Sequence, residues 1–239
     1  MASQVKSKQR VADHGEVFTA EREVKAMCDL VSDECLRIDS RFLEPACGDG
    51  NFLAEILTRK LTVVTQKYKR NPVDYEKNAL LALGSLYGVE LLTDNVAACR
   101  ERLFKIWDKA YTKAVKKIDR KEPVRESARY ILEKNIICGN ALSMMCVDEN
   151  QQDTAQFITF TEWSFPANDA RIKRREFRLD VLLRENDDES NYQAQFSIFG
   201  DDAMDTENWM IDPITNETVP RPIREYPPIN YRKLGEQEA

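Results

Sequence analysis

Glu44, Asp49 and a pair of glycines, Gly48 and Gly50, stand close together in the stretch Phe42 to Leu53, which reads Phe-Leu-Glu-Pro-Ala-Cys-Gly-Asp-Gly-Asn-Phe-Leu. Glycines at this spacing allow a tight turn with φ > 0, through which backbone N–H groups approach a ligand at close range. The positive end of a following helix adds to that field, whereas the two carboxylates oppose the binding of phosphate. A cationic, phosphate-free, nucleotide-like ligand meets both conditions. Cys47 lies in the same turn, but no histidine base is near it in sequence, the one histidine being His14, so it makes a poor nucleophile. Positioning the turn takes a strand before it and a helix after it. Arg41-Phe42-Leu43 is a short apolar run that suits a buried strand, and Asn51-Phe52-Leu53-Ala54-Glu55-Ile56-Leu57 opens a helix.

Residues 44–53, Glu-Pro-Ala-Cys-Gly-Asp-Gly-Asn-Phe-Leu, resemble the first motif of class I S-adenosylmethionine (SAM)-dependent methyltransferases, in the form typical of DNA adenine methyltransferases from restriction-modification systems. The resemblance covers roughly Gly15 to Leu142 and implies a Rossmann-like α/β core that binds SAM. It places Glu44 at the methionine amino group, and packs the turn formed by Pro45, Ala46, Gly48, Gly50, Asn51 and Phe52 against the cofactor. Upstream, Gly15 to Val24 is similar to the family's Phe/Tyr-Thr-Pro segment, with Ala20 in place of the proline. By that likeness Phe18 and Thr19 cover the cofactor, the threonine near its carboxylate; read from the residues alone, Thr19 is the N-cap of a helix through Met27, Leu30 and Val31.

Two further elements carry the resemblance on. After a helix from Asn51 to Tyr68 and a second from Tyr75 to Leu83, Ser85 to Glu90 reads as the next strand. Glu90 then matches the acid that hydrogen-bonds both ribose hydroxyls, at roughly twice the separation of a simple crossover because of the extra helix. Thr93-Asp94-Asn95 caps a helix from Val96 to Lys113 or beyond, with a basic face that includes Arg100, Arg102 and Lys105. Asn135 to Leu142 is a third strand and turn, in which Asn140, followed by Ala141, replaces the family's adenine-contacting aspartate. An amide still accepts a hydrogen bond from an amino group.

The family's fourth motif, Asp/Asn-Pro-Pro-Tyr/Phe, holds a flipped adenine for methyl transfer, and this sequence lacks it. Its place falls within Ala155 to Pro166, whose alternation suits a single strand, so Glu162, Trp163 and Phe165 occupy the catalytic slot. Glu225-Tyr226-Pro227-Pro228-Ile229-Asn230-Tyr231 has a superficial likeness to the motif but reads as an extended, polyproline-like segment. Arg171 to Leu183 forms a further strand or helix with a strongly basic start, available to DNA phosphates, to an acidic partner or simply to solvent. Glu185 to Pro220 contains ten acids and no Lys or Arg, with aromatics interspersed, the composition of a docking segment.

The whole chain of 239 residues is 42% hydrophobic and 32% charged, with a net charge of −6. That charge excludes nucleic-acid binding through bulk positive charge. Six cysteines without a Cys-x-x-Cys pair and a single histidine argue against a metal site and against a disulfide framework. No apolar run reaches membrane-spanning length and the first ten residues lack a signal peptide's apolar region, so a cytoplasmic location is expected. The sequence divides into a basic arm (1–14), a methyltransferase-like SAM-binding domain with a partly truncated sheet (15–183) and an acidic, aromatic C-terminal extension (184–239). The expected function is methylation of the adenine amino group in DNA, with another restriction-modification polypeptide supplying DNA recognition and part of the catalytic site. The competing expectation is a catalytically degenerate SAM-binding assembly or regulatory subunit. A third is a methyltransferase for a small molecule or a protein.

Overall fold

The computed structural model describes residues 10, 19–115, 122–166, 169–187, 208–213 and 216–237. The basic arm apart from Arg10, Phe18, Lys116 to Lys121 and most of the acidic segment therefore lie outside the described residues.

The fold is mixed α/β. Helices α1 (Glu21–Leu30) and α2 (Ser32–Leu36) lead into strand β1 (Phe42–Glu44). Helices α3 (Asn51–Tyr68) and α4 (Pro72–Gly84) connect β1 to β2 (Leu86–Glu90), and α5 (Thr93–Ala114) and α6 (Glu122–Asn135) connect β2 to β3 (Ile136–Asn140). Strands β4 (Met145–Val147) and β5 (Asp153–Phe157) complete a five-stranded sheet in the order β1-β2-β3-β4-β5. Its first three strands are parallel and its last two antiparallel.

Alternation along the strands separates two cores. Phe42, Leu86, Ile136 and Cys138 point to the side of α3 to α6, where Leu57, Leu80, Leu103, Trp107 and Ile131 are buried. Tyr87, Val89 and Ile137 point to the other side and meet Ile158, Phe160 and Leu179. That both crossovers put their helices on one face follows from their handedness: two right-handed connections that advance in the same direction across a sheet cover the same side.

Most expected elements are present, with shifts at their ends. α4 begins earlier than the apolar period implies, because Pro72 suits the first helical position and the Asn71 side chain accepts from the Asp74 N–H at 3.3 Å. Thr19 and the Thr93-Asp94-Asn95 group are not N-caps. Ala20 and Leu92 hold those positions, and their carbonyls accept the first helical bonds, from Val24 at 3.0 Å and Val96 at 3.1 Å.

The single strand expected over Ala155 to Pro166 is two strands, β5 and β6 (Thr159–Ser164). Ile158 separates them: its side chain is fully buried, its N–H bonds the Met144 carbonyl and its carbonyl accepts from Leu179, both at 2.9 Å. β6 leaves the first sheet and pairs with β7 (Arg171–Arg178), which continues into α7 (Leu179–Asp187).

The C-terminal boundary at 184 also requires correction. A hairpin, β8 (Trp209–Ile211) with β9 (Thr218–Pro220), precedes β10 (Arg224–Asn230), which pairs antiparallel with β7. The segment expected to be polyproline-like is thus a strand, with a register shift between Tyr226 and Ile229 where the two prolines have no N–H to give. A 3₁₀ helix (Tyr231–Glu236) follows, and Tyr231 and Leu234 are buried in the main core.

This last turn is fixed by a buried carboxylate. Glu76 of α4, fully inaccessible, accepts from Tyr111 Oη at 2.8 Å, Tyr231 Oη at 2.6 Å and the Arg232 guanidinium. Removing one partner of such a group strands the others. Glu76→Ala is expected to lower stability by about 3–5 kcal/mol, read as a fall in Tm of roughly 6–20 °C by scanning calorimetry. Tyr231→Phe, which removes one donor of three, should cost about 1 kcal/mol.

Candidate functional site

The glycine turn lies at the carboxyl end of β1. Gly48 and Gly50 both have positive φ, 52° and 87°, as the sequence requires. Gly50 is favoured on a second count, since a Cβ there would stand 2.7 Å from Cys99 Sγ, which would have to shift. The turn is tied back on itself by Gly50 N–H to the Cys47 carbonyl at 2.8 Å, and to the sheet by Cys47 N–H to the Val89 carbonyl at 2.9 Å. α3 starts at Asn51, so its positive end opens on the turn. The Cys47 thiol is buried, and its hydrogen bond with Cys99, together with burial, pushes its pKa up. It is held protonated and is no nucleophile.

Parallel pairing aligns the candidate acids. Glu44 pairs in register with Gly88, and Glu90 with Cys138, so Glu44, Glu90 and Asn140 stand at the carboxyl ends of three adjacent strands. One Glu90 oxygen accepts from the Gly48 N–H at 2.9 Å; the other accepts from the Leu92 N–H at 3.0 Å and from Asn95 Nδ2 at 3.4 Å. A carboxylate has about four lone-pair sites, so acceptor capacity remains beside the turn. Burial pushes the Glu44 carboxyl above its ordinary range, against the pull of the Ala46 N–H. Pro45 and Ala46 form the exposed rim of the turn, and Phe52 and Asn51 are half-buried behind it.

Arg102, expected only as part of a basic helix face, and Asp153, for which no role was expected, complete the arrangement. Arg102 donates from one guanidinium nitrogen to Asp49 at 3.1 Å and to Asn51 Oδ1 at 2.6 Å, while Asn51 Nδ2 reaches the Thr19 carbonyl at 3.4 Å. Asn95, Cys99 and Arg102 are spaced i, i+4, i+7, so one stripe of α5 meets Glu90, Gly50 and then Asp49 with Asn51 in succession. That spacing was the available signal. Asp153, on β5, accepts from Asn140 Nδ2 at 3.2 Å, and Asn140 Oδ1 accepts from the Leu142 N–H at 3.0 Å. A carboxylate therefore does stand at the end of β3, delivered from another strand. No local pattern encodes that pairing.

Glu162, Trp163 and Phe165 are not brought to this end of the sheet, which corrects the expected catalytic slot. Trp163 is buried, edge-on to Tyr130 at 6.1 Å, and its indole N–H points to Asn135 Oδ1 at 3.4 Å. Asn135 in turn donates to the Gly84 carbonyl, just before β2 begins. Phe165 packs edge-on against Tyr231. Glu162 is shared between Arg41 and Arg175. These side chains hold β6 to the helices at the amino ends of the parallel strands. The physical reason is the change of partner at Ile158, whose N–H bonds Met144 next to β4 while its carbonyl accepts from Leu179 next to β7, so that β6 joins the second sheet.

The basic start of β7 is neutralised within the chain. Arg171 pairs with Asp169, Lys173 with Glu225, Arg175 with Glu162 and Arg178 with Asp180. Arg174 is buried and hydrogen-bonds Tyr130 Oη and Gln237 Oε1. On α5, Arg100 binds the Glu133 and Ile136 carbonyls, and Lys105 pairs with Glu101. Among the described residues no group of three or more His, Cys, Asp or Glu can hold a metal ion, and no helix is long and apolar enough to cross a membrane.

No protein-family model, no curated protein and no solved structure matches the chain.

Two consequences are measurable. The folded protein holds a proton on Glu44 more tightly than the unfolded chain does, so stability falls as pH rises from the ordinary value of 4.5 through the raised one. Glu44→Gln should therefore be more stable than the wild type at neutral pH, and the difference should vanish below pH 4.5 when both are unfolded in urea. Gly50→Ala should cost at least about 1–2 kcal/mol from backbone conformation alone, with the clash added. Cys99→Ala in the same chain removes the clash and leaves the conformational cost, giving a coupling of about 0.5–3 kcal/mol in a double-mutant cycle.

Proposed function

We propose that the chain is the cofactor-binding part of a SAM-dependent DNA adenine methyltransferase of restriction-modification type, with a Rossmann-like methyltransferase core and a partly truncated sheet. A partner polypeptide supplies DNA recognition and the groups that hold the target base. The observation that carries this reading is the alignment of Glu44, Glu90 and the Asn140–Asp153 pair along the carboxyl ends of three parallel strands, with Glu90 bonded to the glycine turn at Gly48.

The chemistry of these groups fits SAM. They are acceptors for donors: Glu44 for an ammonium, Glu90 for ribose hydroxyls, Asn140 Oδ1 and Asp153 for an exocyclic amine. The same acids disfavour a nucleoside triphosphate, whose phosphates need the donors that Arg102 already commits to Asp49 and Asn51. Bound SAM supplies a methyl group already activated on a sulfonium. This chain's part is then to bind and orient: Glu44 fixes the amino-acid end, Glu90 the ribose, and Arg102 holds the turn through Asp49 and Asn51.

The paired cations of β7 and the net charge of −6 support a partner for DNA contact. The burial of Trp163 and the ion pairs of Glu162 favour, as a second reading, a SAM-binding assembly or regulatory subunit without methyl transfer.

Calorimetric titration with SAM tests the pocket. The wild type should bind, and Glu90→Ala should weaken binding by about 10- to 100-fold, the loss of one or two charge-assisted hydrogen bonds. A wild type that does not bind SAM refutes the site. Transfer of labelled methyl to DNA only when a co-encoded partner is present identifies the enzyme; SAM binding with no transfer under either condition selects the regulatory subunit.

A further inference from the structure

The core on the Tyr87 side of the sheet is open along one flank. Beside Tyr87 and Phe160, whose rings meet edge-on at 5.2 Å, runs a groove of about 490 Å³ between β1, β7, α7 and the β8–β9 hairpin. Leu43, Phe177, Leu182 and Val219 supply its apolar walls. Its charged groups balance, Arg41 and Arg175 against Glu162 and Asp212. A groove with no net charge and an apolar floor is best closed by uncharged side chains, because a charge on the occupant finds no excess of the opposite sign to offset its desolvation.

Two points of the chain sit on its walls. Leu182 and Leu183 line it from α7, which packs on β9 and ends at Asp187. On the opposite wall stands Pro220, and the N–H of the next residue, Arg221, bonds the Asn208 carbonyl at 2.7 Å. The 20 residues between these points, 188–207, lie outside the described residues. Their sequence has a neutral centre: residues 190–200, Ser-Asn-Tyr-Gln-Ala-Gln-Phe-Ser-Ile-Phe-Gly, carry no charge, while Asp187, Asp188 and Glu189 precede them and Asp201 and Asp202 follow. Tyr192, Ala194, Phe196 and Ile198 alternate with Gln193, Gln195 and Ser197, the pattern of an extended segment with one apolar face. An uncharged stretch of this kind without proline is an aggregation hazard when exposed. The acids at its two ends are gatekeepers, but they cover none of it.

We propose that residues 190–200 lie extended in this groove, with Tyr192, Phe196 and Ile198 against its apolar floor and the glutamines toward solvent, so that the acidic extension completes the core from within the chain. Three observations select this occupant: both of its ends are anchored on the groove walls, its neutral centre matches a groove without net charge, and its apolar alternation matches the floor. Connectivity favours it over an occupant in trans. A segment joined to both walls competes at an effective concentration of about millimolar, so a separate peptide of equal affinity at micromolar concentration is at a disadvantage of roughly a thousandfold. The inference does not rest on the SAM reading.

Hydrogen–deuterium exchange on the full chain, resolved by peptic fragments, tests it. Fragments within residues 190–200 should exchange at least about tenfold more slowly than the same residues in a free synthetic peptide of residues 187–202. Leu43→Lys and Val219→Lys each set a charge on a different wall; they should bring that exchange back to the free-peptide rate while exchange in α3 to α6 stays as in the wild type. Phe196→Ser combined with Ile198→Ser leaves every groove residue in place and removes the occupant's hold. The synthetic peptide should bind this double variant at least about tenfold more tightly than it binds the wild type, read from shifts of the Tyr87 and Phe177 resonances by NMR. Free-peptide exchange rates in the wild type overturn the proposal. Protection that survives both lysine variants also overturns it, since the segment is then covered elsewhere. So does protection that grows with protein concentration, which assigns the groove to the segment of a second copy, and so does equal binding of the peptide by the wild type and the double variant, which leaves the groove open.

Discussion

Three register pairs between β1 and β2 set the geometry on which the rest depends. The pairing is short, and it is clamped at both ends by groups that are costly to bury. At the carboxyl end the clamp is Glu90 on the Gly48 N–H, together with Cys47 on the Val89 carbonyl. At the amino end it is Lys60, fully buried, which donates to the Ile38 and Ser40 carbonyls and to Ser85 Oγ at 2.6 Å. Burial lowers the pKa of Lys60 to about 8. Three acceptors, with the Phe42 ring 5.0 Å from the ammonium, offset part of that penalty. A charge on α3 thus holds the start of β1 against the start of β2, and a carboxylate on β2 holds the turn that follows β1.

What sequence could show and what it could not divides along the range of the interactions. The glycine turn, α3, β2 and β3 were legible because each is fixed by a local pattern: positive φ at Gly48 and Gly50, the apolar period after Asn51, a short apolar run before an acid. The break at Ile158 was not, since alternation runs through it and only Met144 and Leu179, from other segments, decide that the chain passes there from one sheet to the other. Trp163 and Glu162 carry residue types suited to catalysis, yet their partners Asn135, Arg41 and Arg175 make them structural. Asp153 is the converse, an unremarkable surface acid until β5 sets it beside Asn140. The helix caps were misplaced by one to three residues because polar side chains stood nearby while backbone geometry set the start of each helix.

Charge shows the same division. Read along the sequence, β7 is a basic segment fit for nucleic acid; in the fold its cations are matched by acids from three different elements or buried against tyrosines. The carboxyl of the turn is a different case, since Glu44 is kept half-buried at a cost in stability.

The 3₁₀ helix has a consequence for how the protein is made. Tyr231 Oη reaches Glu76 across 155 residues of chain, so α4 leaves the ribosome long before the groups that satisfy its carboxylate exist. At about 5–20 residues per second that interval is roughly 8–30 s. During it Glu76 has only Tyr111 to bond, and the apolar surface later covered by Leu234 and Tyr231 is open to solvent. Until that last turn is made, the main core stays open on the side of α4 and α6 that Tyr231 and Leu234 close.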